Sequence, residues 1–326
     1  MRFPRRRFLQ LAGAAALALS FSGVANAQLY PSRPITMIVP FPPGGPTDVV
    51  GRVLAERMSG SLGQPIIIEN IAGAEGSVGL GRAARARADG YTIDLGSNSA
   101  HVLNGALLPL QYDVLSDFAP ILPLVTSPYI LFARKSMPAA NLKELIGWLK
   151  GNPDKASMGV GGGGPRVVTA FFQRETGTHF ALVPYRGTAP RVQDLLAGQI
   201  DLSFGEADQL GLAQSGSIKA YAVTSDTRLA RAPDVPTFGE AGLPTLSLLQ
   251  WYGLFAPKST PQDIITKLNA VAMTALADAG VRSRLSELGF EIFPREQQTP
   301  QALAALLDAD AKKWWPIIKE LGIKAE

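Results

Sequence analysis

The sequence predicts an α/β fold built as two lobes, and three observations carry that prediction. Apolar runs of strand length alternate with segments of helical periodicity, the pattern of a parallel sheet covered by helices. A glycine-rich strand-to-helix loop recurs in each half, at Pro40–Asp48 and Gly161–Arg166. Two strand-like stretches, Tyr129–Ala133 and Leu249–Ala256, fall where composition shifts, as expected if the chain leaves one lobe, builds a second and returns. The expected limits are 28–127 with 249–326 for the first lobe and 128–248 for the second.

The elements follow in order. Ile35–Val39 reads as a buried strand, then a Pro/Gly turn, then a helix Asp48–Leu62 whose apolar residues keep helical spacing and which Gly63 ends. Strand Pro65–Glu69, a glycine-rich loop Gly73–Gly81, a short Arg/Ala helix and strand Tyr91–Leu95 come next. In the middle, Asn141 and Glu144 form a capping-box pattern that opens a helix to Lys150. The tetraglycine Gly161–Gly164 leads into a helix from about Arg166 to Thr176. Strand Phe180–Pro184, helix Ala189–Ala197 and strands Gln199–Phe204 and Ile218–Thr224 complete this unit. The C-terminal part is mostly helical, with Pro261 at a first turn and Pro316 expected to kink or restart the last helix.

The N-terminus sets the compartment. Met1–Arg7 holds four arginines and no acid, Phe8–Val24 is apolar, and Ala25-Asn26-Ala27 is a small-x-small cleavage site. This is a secretory signal over residues 1–27, cut after Ala27, and it implies a periplasmic protein. Arg5-Arg6-Arg7-Phe8-Leu9-Gln10 also fits the twin-arginine pattern. Of 31 basic residues four leave with the signal, so 27 remain against 27 acids and the mature chain is neutral. The excess positive charge therefore belongs to the targeting peptide and gives no support for nucleic-acid or membrane-surface binding. The absence of cysteine excludes disulfides, thiolate metal sites, a cysteine nucleophile and a lipid-anchoring cysteine.

Chemistry is expected in the loops. In Pro40–Asp48, Gly44 and Gly45 allow close backbone approach, and the helix that follows presents N–H groups to an anion. Thr47 or Asp48 would cap that helix, and Phe41 would offer an apolar face. Taken alone, the same residues also make an ordinary tight connection. The loop is neither a P-loop nor a dinucleotide fingerprint. Gly161–Gly164 repeats the logic, with Arg166 as a partner for a carboxylate. Gly96–His101, with Ser97 and Ser99, follows a strand at the end where α/β proteins bind ligands. His101 and His179 lack metal-ligand spacing, and no cofactor or metal is expected. No nucleophile elbow occurs, and Glu206 is the first candidate acid for any hydrolytic reading.

An ordered set of motifs then becomes informative: Tyr30-Pro31-Ser32-Arg33-Pro34-Ile35, Val39–Gly45 with Asp48, Asp89-Gly90-Tyr91-Thr92, Val183-Pro184-Tyr185-Arg186-Gly187 with Ala189-Pro190, Asp194–Asp201, Ala222–Ser225 and Pro233–Thr237. Across essentially the whole mature chain the sequence resembles the Bug family, the extracytoplasmic receptors of tripartite tricarboxylate transporters. The resemblance implies a type II periplasmic-binding-protein fold, two α/β lobes joined by crossover strands around a ligand cleft. It implies a small organic acid as ligand (a di- or tricarboxylate, an acidic amino acid or an aromatic acid), membrane permease subunits as partners, a monomer, and no catalysis. Sensing for a membrane kinase is the alternative role. Carried over, Phe41, Gly44, Gly45, Thr47, Asp48, Ser97 and Ser99 form the first lobe's wall. Gly161, Gly163, Arg166, Tyr185, Gly187, Gly205 and Glu206 form the second. Two positions depart from the family pattern: Pro165-Arg166 stands near where a histidine is common, and Glu206 replaces an Asp or Asn. In the cleft, Glu206 would repel a second carboxylate unless Arg166 or Arg186 offset it.

Overall fold

The computed structural model describes residues 30–323, so the expected signal peptide lies outside the described residues. The strands in chain order are β1 (Ile35–Val39), β2 (Ile66–Asn70), β3 (Thr92–Ser97), β4 (Phe118–Pro128), β5 (Ile130–Arg134), β6 (Ser157–Val160), β7 (Ala181–Pro184), β8 (Leu202–Gly205), β9 (Ile218–Val223), β10 (Leu249–Pro257) and β11 (Glu291–Ile292). The main helices are α1 (Pro46–Leu62), α2 (Ser77–Ala84), α3 (Leu142–Gly151), α4 (Gly163–Thr176), α5 (Thr188–Ala197), α6 (Gln262–Ala277), α7 (Ala279–Glu287) and α8 (Pro300–Glu320).

These strands form two sheets, ordered β11-β4-β10-β3-β1-β2 and β7-β6-β8-β5-β9. Leaving out the short edge strand β11, the two have the same plan. Three parallel strands are followed by one antiparallel strand that arrives from the other lobe, β10 in the first sheet and β5 in the second. This is the two-lobe α/β arrangement of type II periplasmic binding proteins. The chain crosses at Tyr129 and returns between Thr224 and Leu248. The crossings are tied side by side: the Tyr129 N–H donates to Thr224 Oγ1 at 2.8 Å, and the Thr224 N–H donates to the Tyr129 carbonyl at 2.9 Å.

Local chemistry explains most elements. Ile35, Met37, Ile38 and Val39 are fully buried because β1 lies inside a sheet covered on both faces, which is why it reads as an unbroken apolar run. Asn141 caps α3, accepting from the Glu144 N–H at 2.9 Å, while the Glu144 carboxylate accepts from the Ala140 N–H at 2.8 Å. Gly63, in the left-handed region, closes α1 by donating to the Ser59 carbonyl.

Several expectations shift. Helix α1 begins at Pro46, and neither Thr47 nor Asp48 caps it: the N-cap is Gly45, which has no side chain to do so. The second half of the Gly73–Gly81 loop is helical. Helix α8 continues through Pro316 rather than restarting. Strand β4 has no counterpart in the sequence reading, because Pro120, Pro123 and Pro128 interrupt it. Its pairing with β10 accommodates them through register shifts at Tyr252/Gly253 and Leu254/Phe255.

Candidate functional site

Because both sheets share one plan, the carboxyl ends of β1, β6, β7 and β8 open toward a single cleft between them. It is a narrow cleft, a cavity of about 40 Å³ partly open to solvent. Three helices begin on it. The N-caps of α1, α4 and α5 are Gly45, Gly162 and Gly187, and no side chain caps any of them. The first-turn N–H groups of a helix have no partner inside it. Prolines at Pro46, Pro165 and Pro190 remove one donor each, leaving Thr47 and Asp48 of α1, Gly163 of α4, and Thr188 and Ala189 of α5 among those that point at the cleft end. The Gly164 N–H is already used by Ser99 Oγ, at 2.9 Å. Three convergent positive helix ends give the cleft a potential that favours an anion. Among the described residues no cluster of three or more His, Asp or Glu side chains is placed to hold one.

The lobes meet over this cleft. Gly162, at φ +86°, lies under Phe41 and Ser99, and a Cβ there would sit 3.3 Å from Ser99 Oγ. A Cβ on Gly187 would lie 2.9 Å from the Pro42 ring, and one on Gly163 would lie 3.0 Å from Leu107. Arg166 donates from Nε and Nη2 to Glu75 Oε1, at 3.1 and 2.9 Å, so α4 of the second lobe is paired with the turn before α2 of the first. Glu75 is held for this in a left-handed conformation (φ +56°), with its carbonyl accepting from Asn104 Nδ2 at 2.9 Å.

The floor of the cleft is made by the crossing segments. The Tyr129 hydroxyl donates to Gln250 Oε1 at 2.7 Å and the Tyr252 hydroxyl to Glu206 Oε2 at 2.6 Å, all four residues buried. Burial and the nearby charge of Asp208 push the Glu206 carboxyl up to about 8, against the pull of the Tyr252 hydrogen bond and Arg191. Asp208 rises to about 6, mainly through burial. Arg191 also lines the floor. It is 2% exposed, and its Nε and Nη1 have no hydrogen-bond partner among the described residues.

Of the residues expected from the sequence, the structure brings Phe41, Gly45, Thr47, Ser99, Gly161, Gly187, Gly205 and Glu206 to the cleft lining. The others are near it but engaged elsewhere. The Gly44 N–H and both Asp48 oxygens are turned into the loop: Asp48 accepts from Gly44, Arg52 and Asn70 at 2.8–2.9 Å. Burial works against ionised Asp48, but those hydrogen bonds outweigh it and hold its carboxyl below the usual value. Ser97 is buried on β3 opposite Tyr252, and Gly163 packs against the first lobe. Arg166 is committed to Glu75, and the Tyr185 hydroxyl donates to Asp194 at 2.5 Å. Arg186 is exposed, so the cation beside Glu206 is Arg191 and neither of the two expected arginines. His101 is buried 3.2 Å from Asp94 and stacks on Phe255, while His179 is exposed beside Asp154.

Sequence reasoning missed Tyr129, Gln250 and Tyr252, which lie on strands read only as hinge crossings. It also missed Arg191, for which a signal existed. Arg191 and Leu195 are the two buried residues of α5, four apart, so a charged side chain occupies the helix's core-facing stripe.

Residues 50–323 match the tripartite tricarboxylate transporter family receptor, TctC. The chain belongs to that family. The receptor is 34% identical over 323 residues to protein BugT of Bordetella pertussis, covering 98% of each chain. Its fold superposes on the periplasmic binding protein BugD with a TM-score of 0.87 and 36% identity, over 91% of this chain and 100% of that one. MatC from Rhodopseudomonas palustris, solved with malate bound, gives 0.85 and 36%, over 89% and 100%. Family and neighbours are solute-binding receptors of the periplasm, not enzymes, which removes the hydrolytic reading of Glu206.

Proposed function

We propose that this receptor captures a small organic acid in the periplasm, after cleavage of its signal at Ala27, and delivers it to the permease subunits of a tripartite tricarboxylate-type transporter. The lobes, taken as 28–127 with 249–326 and 128–248, close on the ligand as a clamp. The observation that carries the reading is the convergence of three uncapped helix N-termini, each with glycine at its N-cap, on one cleft. A carboxylate there accepts N–H bonds that no side chain of the protein supplies. Phe41 and the prolines around it cover the ligand's apolar part, and Ser99, Thr47 and Thr188 offer hydroxyl groups at its edge. That MatC carries malate supports an acid as the ligand class.

The experiment is calorimetric titration of the mature protein with a panel of organic acids that includes malate, with mass spectrometry of whatever is released on denaturation. One acid bound stoichiometrically and recovered unchanged is the expected result. A folded protein that binds no acid in the panel would count against the reading.

A further inference from the structure

The floor of the cleft contains a cation, Arg191, two of whose donors, Nε and Nη1, have no partner among the described residues. Arg191 leaves the core-facing stripe of α5, and its stem passes over Gly159 of β6, where a Cβ would lie 2.9 Å from Arg191 Cγ. The glycine therefore clears a path for this side chain. The guanidinium ends among four ionisable groups, Glu206, Asp208, Tyr129 and Tyr185. Yet neither acid bonds Nε or Nη1: Glu206 Oε2 accepts from Tyr252 instead, and Asp208 Oδ1 is itself buried without a partner among the described residues. A buried guanidinium with open donors is costly unless something anionic meets it.

The hydrogen-bond directions around it point the same way. Because the Tyr129 hydroxyl donates to Gln250 Oε1, the Gln250 amide nitrogen is left as a donor. Burial keeps Glu206 largely protonated at neutral pH, making it a donor too. The floor thus offers donors, and it is distinct from the helix ends. Arg191 is the fourth residue of α5, so its side chain starts beyond the first-turn N–H groups, and it reaches Tyr129, Gln250 and Tyr252, which are buried on the crossing segments and line the same cleft.

Resting on the organic-acid reading, we propose that Arg191 is the specificity-determining residue of this cleft: it holds a second anionic group of the ligand, apart from the one at the helix N-termini, so that the receptor selects dianions over monoanions of the same length.

The test is calorimetry at pH 7 on the mature wild-type protein, Arg191→Gln and Arg191→Lys. The probes are succinate, glutarate and adipate, each paired with its monoamide, which keeps the length and removes one charge. Wild type is expected to prefer the diacid by roughly tenfold or more. Arg191→Gln should weaken the diacid by roughly thirtyfold, the scale of a lost charge-assisted hydrogen bond, and the monoamide by under about threefold. Arg191→Lys should restore part of the preference. Equal loss for diacid and monoamide in Arg191→Gln, or no preference in wild type, overturns the proposal while leaving organic-acid capture intact. If wild type binds no organic acid at all, the underlying reading fails and takes the proposal with it.

Should Arg191→Gln not fold, Glu206→Gln gives an independent reading. The groups facing Glu206 are Arg191, Asp208, Tyr252 and Tyr129. In wild type, diacid affinity should fall between pH 7 and 9 as Glu206 ionises and competes for Arg191, and Glu206→Gln should flatten that fall. An identical pH profile in the two proteins overturns the proposal.

Discussion

Replacing Arg166 with alanine asks whether the ion pair across the cleft mouth holds the lobes closed. Arg166 on α4 donates twice to one oxygen of Glu75, at 3.1 and 2.9 Å, and the two side chains are only 7% and 13% exposed. Screening is therefore slight. Removing the arginine strands a carboxylate whose Oε2 already has no partner among the described residues, and breaking a buried pair in this way costs about 3–5 kcal/mol. Glu75 recovers much of that cost by meeting water when the lobes part. The penalty thus falls on the closed form, and we expect about 2 kcal/mol of it to oppose closure, a roughly thirtyfold loss of affinity. Calorimetry with malate or another bound acid measures the affinity, small-angle scattering with and without ligand measures closure, and a urea titration without ligand measures stability. The expected pattern is weaker binding and incomplete closure with an unliganded urea midpoint close to wild type. Affinity within about threefold of wild type, or an unliganded stability loss of the full 3–5 kcal/mol, would refute the reasoning. The pair would then be a fixed part of the folded core rather than a contact made on closing.

Other outcomes follow from the same geometry. Asp48→Ala removes the acceptor for Gly44, Arg52 and Asn70, and should lower stability by about 2–3 kcal/mol, read as a reduced urea midpoint. The Asp48 carboxyl is held below its ordinary value of 3.8 in the fold, so its contribution is complete above that pH and is lost as pH falls through the folded value. Asp48→Asn should flatten this acid limb in a pH series of melts. Gly164→Ala drives a Cβ into the Tyr129 hydroxyl, at the point where α4 meets the hinge. It should cost about 1–3 kcal/mol and weaken ligand capture in calorimetry, whereas alanine at Gly147, in the middle of α3 with open space around it, should leave capture unchanged and raise stability by about 0.5–1 kcal/mol.

The parts of this protein that depend on local periodicity were legible in one dimension. Strand β1, helix α1, the Asn141–Glu144 cap and the glycine-rich turns all follow from neighbours in sequence, since their physics is the spacing of apolar residues and the freedom of glycine. Because a loop's position at the carboxyl end of a strand is also a local property, Phe41, Gly45, Thr47 and Ser99 are legible from the sequence, whereas Gly187 is reached only through the family resemblance. What is decided between distant segments was not legible. Strand β4 tolerates its prolines only because β10 shifts register opposite them. The loop Val39–Asp48 carries an acid, but Asn70 and Arg52 turn that acid inward, leaving backbone N–H groups to face the cleft. Arg166 and Arg191 are equally charged in the sequence. Glu75, from the other lobe, neutralises the first, whereas Nε and Nη1 of the second are buried without a partner among the described residues. Which arginine is free to meet a ligand depends on the partner that folding brings to it, and that pairing exists only in three dimensions.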